Sequence, residues 1–512
     1  MKRKSDKYKS LISSLIRNSL EIPDLRYISW FGNNGEEEVI SFKNAFELVC
    51  SYKDWLESLG VKRETTIAIV PNNDIDSVMV ILASVCLGCR ILFLPSYYPN
   101  DKLKKYRDRV SASFVFISKR YRNVQFENCI DIISFKRIKK SDNLILKYES
   151  DLQRTVFLFG TSGSTGDSKI VEQSELNAIS NALAIKHNFN LSEASSIMGC
   201  LPIYHVNGFH FTVLCSLVSG ISSFLIESFD PFRYSSLIDK IKPTLISLVP
   251  PALDALLRVR KKSPLPSSLE YIVTAASPLS QRIAQEIFEK WKLKVYQGYG
   301  LTETTNFSTM TPKDIADHTY EKFMLKSDIP TIGTEINGVN VQILDNEGKK
   351  VNEEYKIGEI CVRGDNVMRC YFNDNDSTVE AFKYGWFHTG DKGYMVKDDR
   401  GQKYYFLKGR IKNTVKINGI LVSYEEVERV IRMNDFVKDC GCISVQGEDL
   451  EESIIVSVSF RDIAPNLDDL KANLLNELPF VIPYIKFVMV DNIPRSSTGK
   501  INRAELYIKY KN

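Results

Sequence analysis

Residues 155–169 read Thr155-Val156-Phe157-Leu158-Phe159-Gly160-Thr161-Ser162-Gly163-Ser164-Thr165-Gly166-Asp167-Ser168-Lys169. The apolar run Thr155–Phe159 predicts a strand. It gives way to a loop with three glycines, five hydroxyl residues and then a lysine. Glycine lets backbone N–H groups approach a ligand closely, and successive N–H groups in such a loop form a nest that binds anions. The hydroxyls add donors and Lys169 adds a full positive charge. Thr161, Ser162, Gly163, Ser164, Thr165, Gly166 and Lys169 therefore have the chemistry of a polyphosphate cradle. It is not a Walker A loop, in which the lysine follows a glycine directly; Lys169 stands three residues after Gly166.

Outward from this loop, strands and helices alternate. A helix is expected over Ser174–His187. Upstream, the pattern predicts helix Phe42–Leu59, strand Thr66–Val70, helix Ile75–Leu87, strand Arg90–Leu94, helix Lys102–Arg109 and strand Ser113–Ile117. That alternation points to an α/β domain with parallel sheets. Residues 1–30 read as an amphipathic lead-in. The 512 residues are enough for two or more domains, and 44% hydrophobic with 25% charged residues is an ordinary globular composition. A net charge of +4 leaves no nucleic-acid footprint. The most apolar run, Val78–Pro95, is broken by Gly88 and Arg90 and is too short to span a bilayer; it reads as a core helix followed by a strand. The basic start, Met1 to Lys4, lacks a following apolar core and cleavage site, so a secretory signal is not expected. The last residues, Ile508 to Asn512, match no organelle address. Ten scattered cysteines, with no second pair beside Cys86 and Cys89 and only one residue between Cys440 and Cys442, read as buried reduced thiols in a cytoplasmic protein.

Further motifs follow downstream. Leu201-Pro202-Ile203-Tyr204-His205-Val206-Asn207-Gly208-Phe209 sets a histidine in an apolar strand-to-turn setting. Thr274-Ala275-Ala276-Ser277-Pro278-Leu279 is a strand ending in a small-residue turn. In Gln297-Gly298-Tyr299-Gly300-Leu301-Thr302-Glu303-Thr304-Thr305, a tyrosine between glycines suggests a ring exposed to a ligand, and Glu303 offers a hard oxygen for Mg²⁺. Trp386-Phe387-His388-Thr389-Gly390-Asp391 puts a carboxylate after a glycine turn, where it can hold two vicinal hydroxyls. The last motif is Pro494-Arg495-Ser496-Ser497-Thr498-Gly499-Lys500-Ile501.

The stretch Thr161–Lys169 resembles the phosphate-loop signature of adenylate-forming enzymes, the superfamily of acyl-CoA synthetases, peptide-synthetase adenylation domains and luciferase. The Gln297–Thr305 stretch closely resembles a second motif of that superfamily. The motifs keep family order over nearly the whole chain from about residue 40. Two departures stand out: Ser168 where the family usually has proline, and Cys370 where it normally has glycine.

The resemblance implies a fold of two parts. A large N-terminal α/β domain of parallel and mixed sheets flanked by helices, residues 1–411, binds ATP and the acid. A small mobile α+β domain, residues 412–512, pivots near Lys412. It also implies roles. Lys169 and the loop hold the β/γ-phosphates, Glu303 holds Mg²⁺, and Thr302 and Lys500 address the α-phosphate and carboxylate oxygens. His205, Asn207 and Phe209 line the acyl pocket, and they favour an apolar acyl or aryl group over an amino acid. Ala276, Ser277, Gln297, Gly298, Tyr299 and Gly300 face the nucleotide, Asp391 holds the ribose, Arg410 contacts the nucleotide, and Lys416 with Gly419 faces the thiol. The implied reaction is ATP-dependent activation of a carboxylic acid, fatty or aromatic, to an acyl-adenylate, followed by transfer to coenzyme A. Two alternatives stay open: loading of a carrier protein's phosphopantetheine in trans, and a non-catalytic nucleotide-binding member. Oxidative light emission is a remote third.

Overall fold

The computed structural model describes residues 9–121, 129–146, 151–161, 169–260, 264–417, 420–434, 436–446, 452–461, 467–496 and 499–510. It is mixed α/β and divides into two compact units. One takes residues 1–161, 169–341 and 362–387; the other takes 342–361 and 388–512.

The first unit holds two large sheets. Apolar β-branched and aromatic runs too short for helices form their central strands, and these are parallel because helices connect them. In one sheet of seven strands the order is Cys370–Tyr371, Ile170–Ser174, Thr155–Gly160, Arg90–Phe93, Thr66–Val70, Phe114–Ile117 and Cys129–Asp131. Thr155–Gly160 is parallel to Arg90–Phe93 and antiparallel to Ile170–Ser174. In the other, of nine strands, Val295–Tyr299, Tyr271–Thr274, Leu245–Leu248, Ser196–Gly199, Ser222–Ile226 and Arg26–Phe31 run parallel in that order.

Helix Ile75–Leu87 starts where Asp74 accepts a hydrogen bond from the Ser77 N–H, and it stops at Gly88, whose φ of +85° only glycine takes freely. Ten of its thirteen side chains that are apolar or small are buried in one run, Ser77 to Cys86, so the stretch is core and not a membrane span. Among the described residues no helix is long and apolar enough to cross a membrane. All ten cysteines are free; only Cys129 and Cys370 are partly exposed.

One sequence expectation fails here. Residues 11–31 are not a lead-in. After helix Leu11–Glu21, strand Arg26–Phe31 is buried from Tyr27 onward and pairs parallel with Ser222–Ile226 and antiparallel with Glu37–Ser41. A strand flanked on both sides and covered on both faces loses the polar/apolar alternation that marks a half-buried one.

A four-stranded sheet ordered Val339–Leu344, Gly358–Gly364, Phe387–Lys397, Lys403–Arg410 contributes most of its residues to the second unit. It continues into hairpin Thr414–Ile417/Ile420–Ser423 and a three-stranded sheet of Val437–Gln446, Glu452–Phe460 and Ile485–Met489. Helices Tyr424–Arg432 and Leu467–Glu477 share a core with these strands through Val427, Ile431, Leu470, Leu474 and Val456. Lys412 falls within this unit.

Candidate active site

In the first unit, strands Thr155–Gly160 and Ile170–Ser174 form the stem of the expected cradle, with Gly160 opposite Ile170. The Thr161 N–H donates to the Lys169 carbonyl at 2.8 Å and the Lys169 N–H to Thr161 Oγ1 at 3.1 Å. Ser162, Gly163, Ser164, Thr165 and Gly166 lie outside the described residues.

Strand Cys370–Tyr371 pairs beside the stem, with Tyr371 opposite Val171. Its ring lies 4.4 Å from Lys169 Nζ, and its phenol donates to Glu303 Oε1 at 3.0 Å. The Met368 N–H fixes the Glu303 carbonyl at 2.7 Å. Neither Lys169 nor Glu303 forms an ion pair among the described residues. One tyrosine thus holds a cation on its face and a carboxylate at its hydroxyl without letting them neutralise each other. No sequence motif marks Tyr371; its one signal is an aromatic directly after Cys370. That cysteine lies in extended strand backbone, outside the left-handed region that needs glycine.

The Gln297–Thr305 stretch ends strand Val295–Tyr299 and enters a 3₁₀ turn over Thr302–Thr304. Tyr299 is only 7% exposed, so the expected open ring is not found. The flanking glycines serve close packing instead. A Cβ on Gly298 would fall 2.5 Å from the Phe307 ring, and one on Gly300 would fall 1.6 Å from the Asn306 carbonyl oxygen. The Thr302 carbonyl accepts from Gln173 Nε2 at 2.8 Å, and Gln173 Oε1 meets His210 Nε2 at 2.8 Å. His210 is boxed by Phe157, Phe159 and Phe209, and burial pulls its imidazole down to about 3. It is neutral throughout the working pH range. The sequence reading passed over it in favour of His205, which is half-buried with its ring 4.7 Å from that of Tyr204. Phe209 is fully buried among Phe93 and Phe157, which makes it core rather than pocket surface. Ala276 and Ser277 follow strand Tyr271–Thr274, and Ala276 holds a φ of +72°. Such strain in a residue with a Cβ is typical of functional turns. His205, Ala276, Ser277 and Thr302 all follow carboxyl ends of parallel strands of one sheet, where open α/β sheets bind ligands.

In the second unit, Asp391 and Arg410 sit opposite each other on adjacent strands. Arg410 Nε lies 2.9 Å from Asp391 Oδ1; the carboxylate is buried and the arginine exposed. The turn before Asp391 is tied down from strand Gly358–Gly364. Glu359 Oε1 accepts the Gly390 N–H at 2.8 Å, Glu359 Oε2 meets His388 Nδ1 at 2.7 Å, and Thr389 Oγ1 donates to the Ile360 carbonyl at 2.6 Å. Cys361 completes a trio with Glu359 and His388 whose ligand atoms lie within 4.8 Å of one another. His388 Nδ1 lies 2.7 Å from Glu359 Oε2 and 3.5 Å from Cys361 Sγ. The trio is a brace for the turn.

Lys500 stands in a tight turn where the Ser496 N–H donates to the Lys500 carbonyl at 2.8 Å and the Lys500 N–H to Ser496 Oγ at 3.2 Å. Arg495 supports it, chelating Asp439 through Nε at 2.7 Å and Nη2 at 2.6 Å while Nη1 donates to the Gly499 carbonyl. Lys416 lies in strand Thr414–Ile417 opposite Leu421. Gly419 is outside the described residues.

The model of the AMP-binding enzyme family matches residues 19–372. The chain is 26% identical over 483 residues to 4-coumarate:CoA ligase 1 of Petunia hybrida, covering 88% of this chain and 85% of that protein. It is 27% identical over 482 residues to 2-succinylbenzoate–CoA ligase of Bacillus pumilus, covering 92% and 93%. Among solved structures, o-succinylbenzoate CoA synthetase of Bacillus subtilis in complex with its acyl-adenylate intermediate superposes with a TM-score of 0.84 at 22% identity, over 96% of this chain and 97% of that one.

Proposed function

The chain belongs to the AMP-binding enzyme family, and on that premise we propose that it is an AMP-forming acid–thiol ligase that activates a carboxylic acid with ATP and passes the acyl group to coenzyme A. The observation that carries this reading is the Lys169–Tyr371–Glu303 assembly: a half-buried cation and a half-buried carboxylate held 4.4 Å and 3.0 Å from one tyrosine, neither spent in an ion pair among the described residues. A polyphosphate with a divalent cation uses both.

A carboxylate oxygen attacks the α-phosphorus of ATP, the bond to the bridging oxygen breaks, and pyrophosphate leaves with its electron pair. The product is a mixed anhydride. A thiol then attacks the acyl carbon, losing its proton, and AMP leaves. No base is required in the first step because the nucleophile is already ionised. The protein must bring two anions together and offset the charge building between them. In this reading Lys169 and the cradle bind the β- and γ-phosphates, and Thr302 and Lys500 address the α-phosphate and carboxylate oxygens. Asp391, with Arg410, takes the ribose. One carboxylate at Glu303 suits Mg²⁺, which keeps most of its shell as water and phosphate oxygens; bound there, it would neutralise phosphate charge. The curated relatives are coenzyme A ligases by name, which favours coenzyme A over a carrier-bound thiol.

The test is pyrophosphate release from ATP across a panel of fatty, aromatic and amino acids, with and without coenzyme A. Release with a simple carboxylic acid, and an acyl-CoA product only when coenzyme A is added, is expected. Release triggered best by an amino acid, or by no acid at all, would refute the proposal.

A further inference from the structure

Three successive carbonyls of the Thr302–Thr304 turn are each held from a distant segment. The Thr302 carbonyl accepts from Gln173 Nε2 at 2.8 Å, the Glu303 carbonyl from the Met368 N–H at 2.7 Å, and the Thr304 carbonyl from Asn366 Nδ2 at 3.1 Å. The backbone beyond the turn explains why ties are needed. Thr305 holds a φ of +54° and Asn306 one of +106°. Such values are costly for residues with a Cβ and persist only where the surroundings impose them. Two of the three ties trace back to one strand. Ile170–Ser174 begins directly after Lys169, carries Gln173, and pairs with Cys370–Tyr371, just past Met368. Lys169, Glu303 and Thr302 thus share one reference: Lys169 by succession, Glu303 through Met368 and Tyr371, and Thr302 through Gln173.

Gln173 is fully buried, and its amide can serve Thr302 in one orientation only. With Nε2 on the Thr302 carbonyl, Oε1 meets His210 Nε2 at 2.8 Å, so that ring nitrogen carries the proton. Flipped, the amide would set Oε1 against the Thr302 carbonyl and its NH₂ against the imidazole N–H, and both bonds would be lost. His210 is itself buried and walled by Phe157, Phe159 and Phe209. Its Nδ1 has no hydrogen-bond partner among the described residues. Buried polar atoms are normally paired, and this ring is paired only through the nitrogen that fixes Gln173.

We propose that Gln173 is a positioning residue for Thr302, and that His210 acts through it by dictating the direction of its amide. This rests on the ligase reading above, in which Thr302 addresses the α-phosphate while Lys169 and Asp391 bind other parts of the nucleotide. Loss of the tie lets the strained backbone relax and carries Thr302 away from the group that changes in the reaction. The nucleotide's other contacts stay in place. The chemical step therefore suffers more than ATP binding does, since a misplacement of about 1 Å costs about a hundredfold.

The experiment compares Gln173→Leu, His210→Phe and His210→Gln with the wild type, each shown to be folded by its melting temperature. In acid-dependent pyrophosphate release, kcat should fall about ten- to a hundredfold in Gln173→Leu and less in His210→Phe, with KM for ATP within about threefold. His210→Gln, whose amide again offers an N–H to Gln173 Oε1, should recover most of the loss seen in His210→Phe. Methyl NMR reads the turn without turnover. The Thr302 methyl signal, assigned through Thr302→Ser, should shift or double in Gln173→Leu and His210→Phe and return toward its wild-type position in His210→Gln. A kcat within about threefold of wild type in both Gln173→Leu and His210→Phe overturns the proposal, as does a fall in kcat with the Thr302 methyl unmoved. Equal losses in His210→Phe and His210→Gln, as expected if the ring only fills space, overturn the role of His210. If Gln173→Leu does not fold, the two His210 variants decide alone. A wild type that releases pyrophosphate with none of the acids would sink the ligase reading instead, and the methyl signals would still decide whether Gln173 holds Thr302.

Discussion

Tyr371 performs two tasks with one side chain, and substitutions separate them. Tyr371→Phe keeps a ring under Lys169 Nζ but removes the hydrogen bond to Glu303 Oε1. A bond to a charged acceptor is worth about 1.5–3 kcal/mol, so kcat/KM for ATP should fall about tenfold or more. Tyr371→Leu removes both contacts and should fall further. Equal activity of the two variants at varied Mg²⁺ would mean that the ring contact with Lys169 contributes nothing. His210 supports a second residue-scale prediction. Its folded pKa, about 3, lies below the ordinary value of 6.5. Between those values the unfolded chain binds the proton and the folded chain does not, so this group's stabilising contribution is complete above pH 6.5 and is lost as pH falls toward 3. From pH 7 to pH 5 the wild type should lose about 2 kcal/mol more than His210→Phe. Urea denaturation of both proteins at the two pH values checks this; parallel losses would show that His210 does not titrate as its burial requires.

The Thr389–Asp391 turn works as an element rather than as separate residues. Gly390 has a φ of +72°, its N–H is held by Glu359, and its carbonyl accepts from the Ile411 N–H at 2.8 Å, so the carboxylate of Asp391 is aimed by a neighbouring strand. Asp391→Ala should lower kcat/KM for ATP about a hundredfold if this group meets the ribose. Glu359→Ala acts only through the turn: KM for ATP should rise about tenfold with kcat within a few-fold, and Glu359→Gln, which keeps an oxygen for the Gly390 N–H, should recover most of the loss. A fall in kcat without a change in KM in Glu359→Ala would place that residue elsewhere in the reaction. What was legible in the sequence follows from the same physics. Helix Ile75–Leu87 and strand Thr66–Val70 could be read to the residue because their limits are local: a capping aspartate, a left-handed glycine, a short β-branched run. Strand Arg26–Phe31 could not, since its parallel partner, Ser222–Ile226, arrives from almost two hundred residues away. The motifs marked Lys169, Glu303, Asp391 and Arg410, but their relations did not show: Tyr371 joins the first two through sheet pairing between distant segments, and the register of two consecutive strands makes an ion pair of the last two. The brace at Glu359 and the tie from Gln173 to Thr302 were invisible because they too join separate segments. Tyr299 was misread because glycines beside a ring can mean exposure or close packing, and only the position of Phe307 decides between them.

At the scale of the whole molecule, the chain comprises two units, one carrying Lys169, Thr302 and Glu303 and the other Asp391, Arg410 and Lys500. The two half-reactions make opposite demands. Adenylate formation needs a cation beside the α-phosphate and the carboxylate. Thiol transfer needs room for a thiol at the same acyl carbon. Lys500 suits the first demand: its N–H donates to Ser496 Oγ, its carbonyl accepts from the Ser496 N–H, and the nearby Arg495 is held by Asp439. Lys500→Ala should therefore cut acid-dependent pyrophosphate release by about 10²–10³-fold, the scale of losing a transition-state charge partner, while thioester formation from synthetic acyl-adenylate and coenzyme A stays within a few-fold of wild type. Gly419→Leu, which adds bulk where the family resemblance implies the thiol's approach, should do the reverse. Lys412→Pro, which fixes φ near −65° at the implied pivot, should separate the two steps, sparing the one whose arrangement it traps and slowing the other. Each half-reaction is measured alone in all three variants by pyrophosphate release and by AMP release from the preformed adenylate. If Lys500→Ala and Gly419→Leu each lose both steps equally, one fixed arrangement serves the whole reaction and the division of labour between the two loops is wrong.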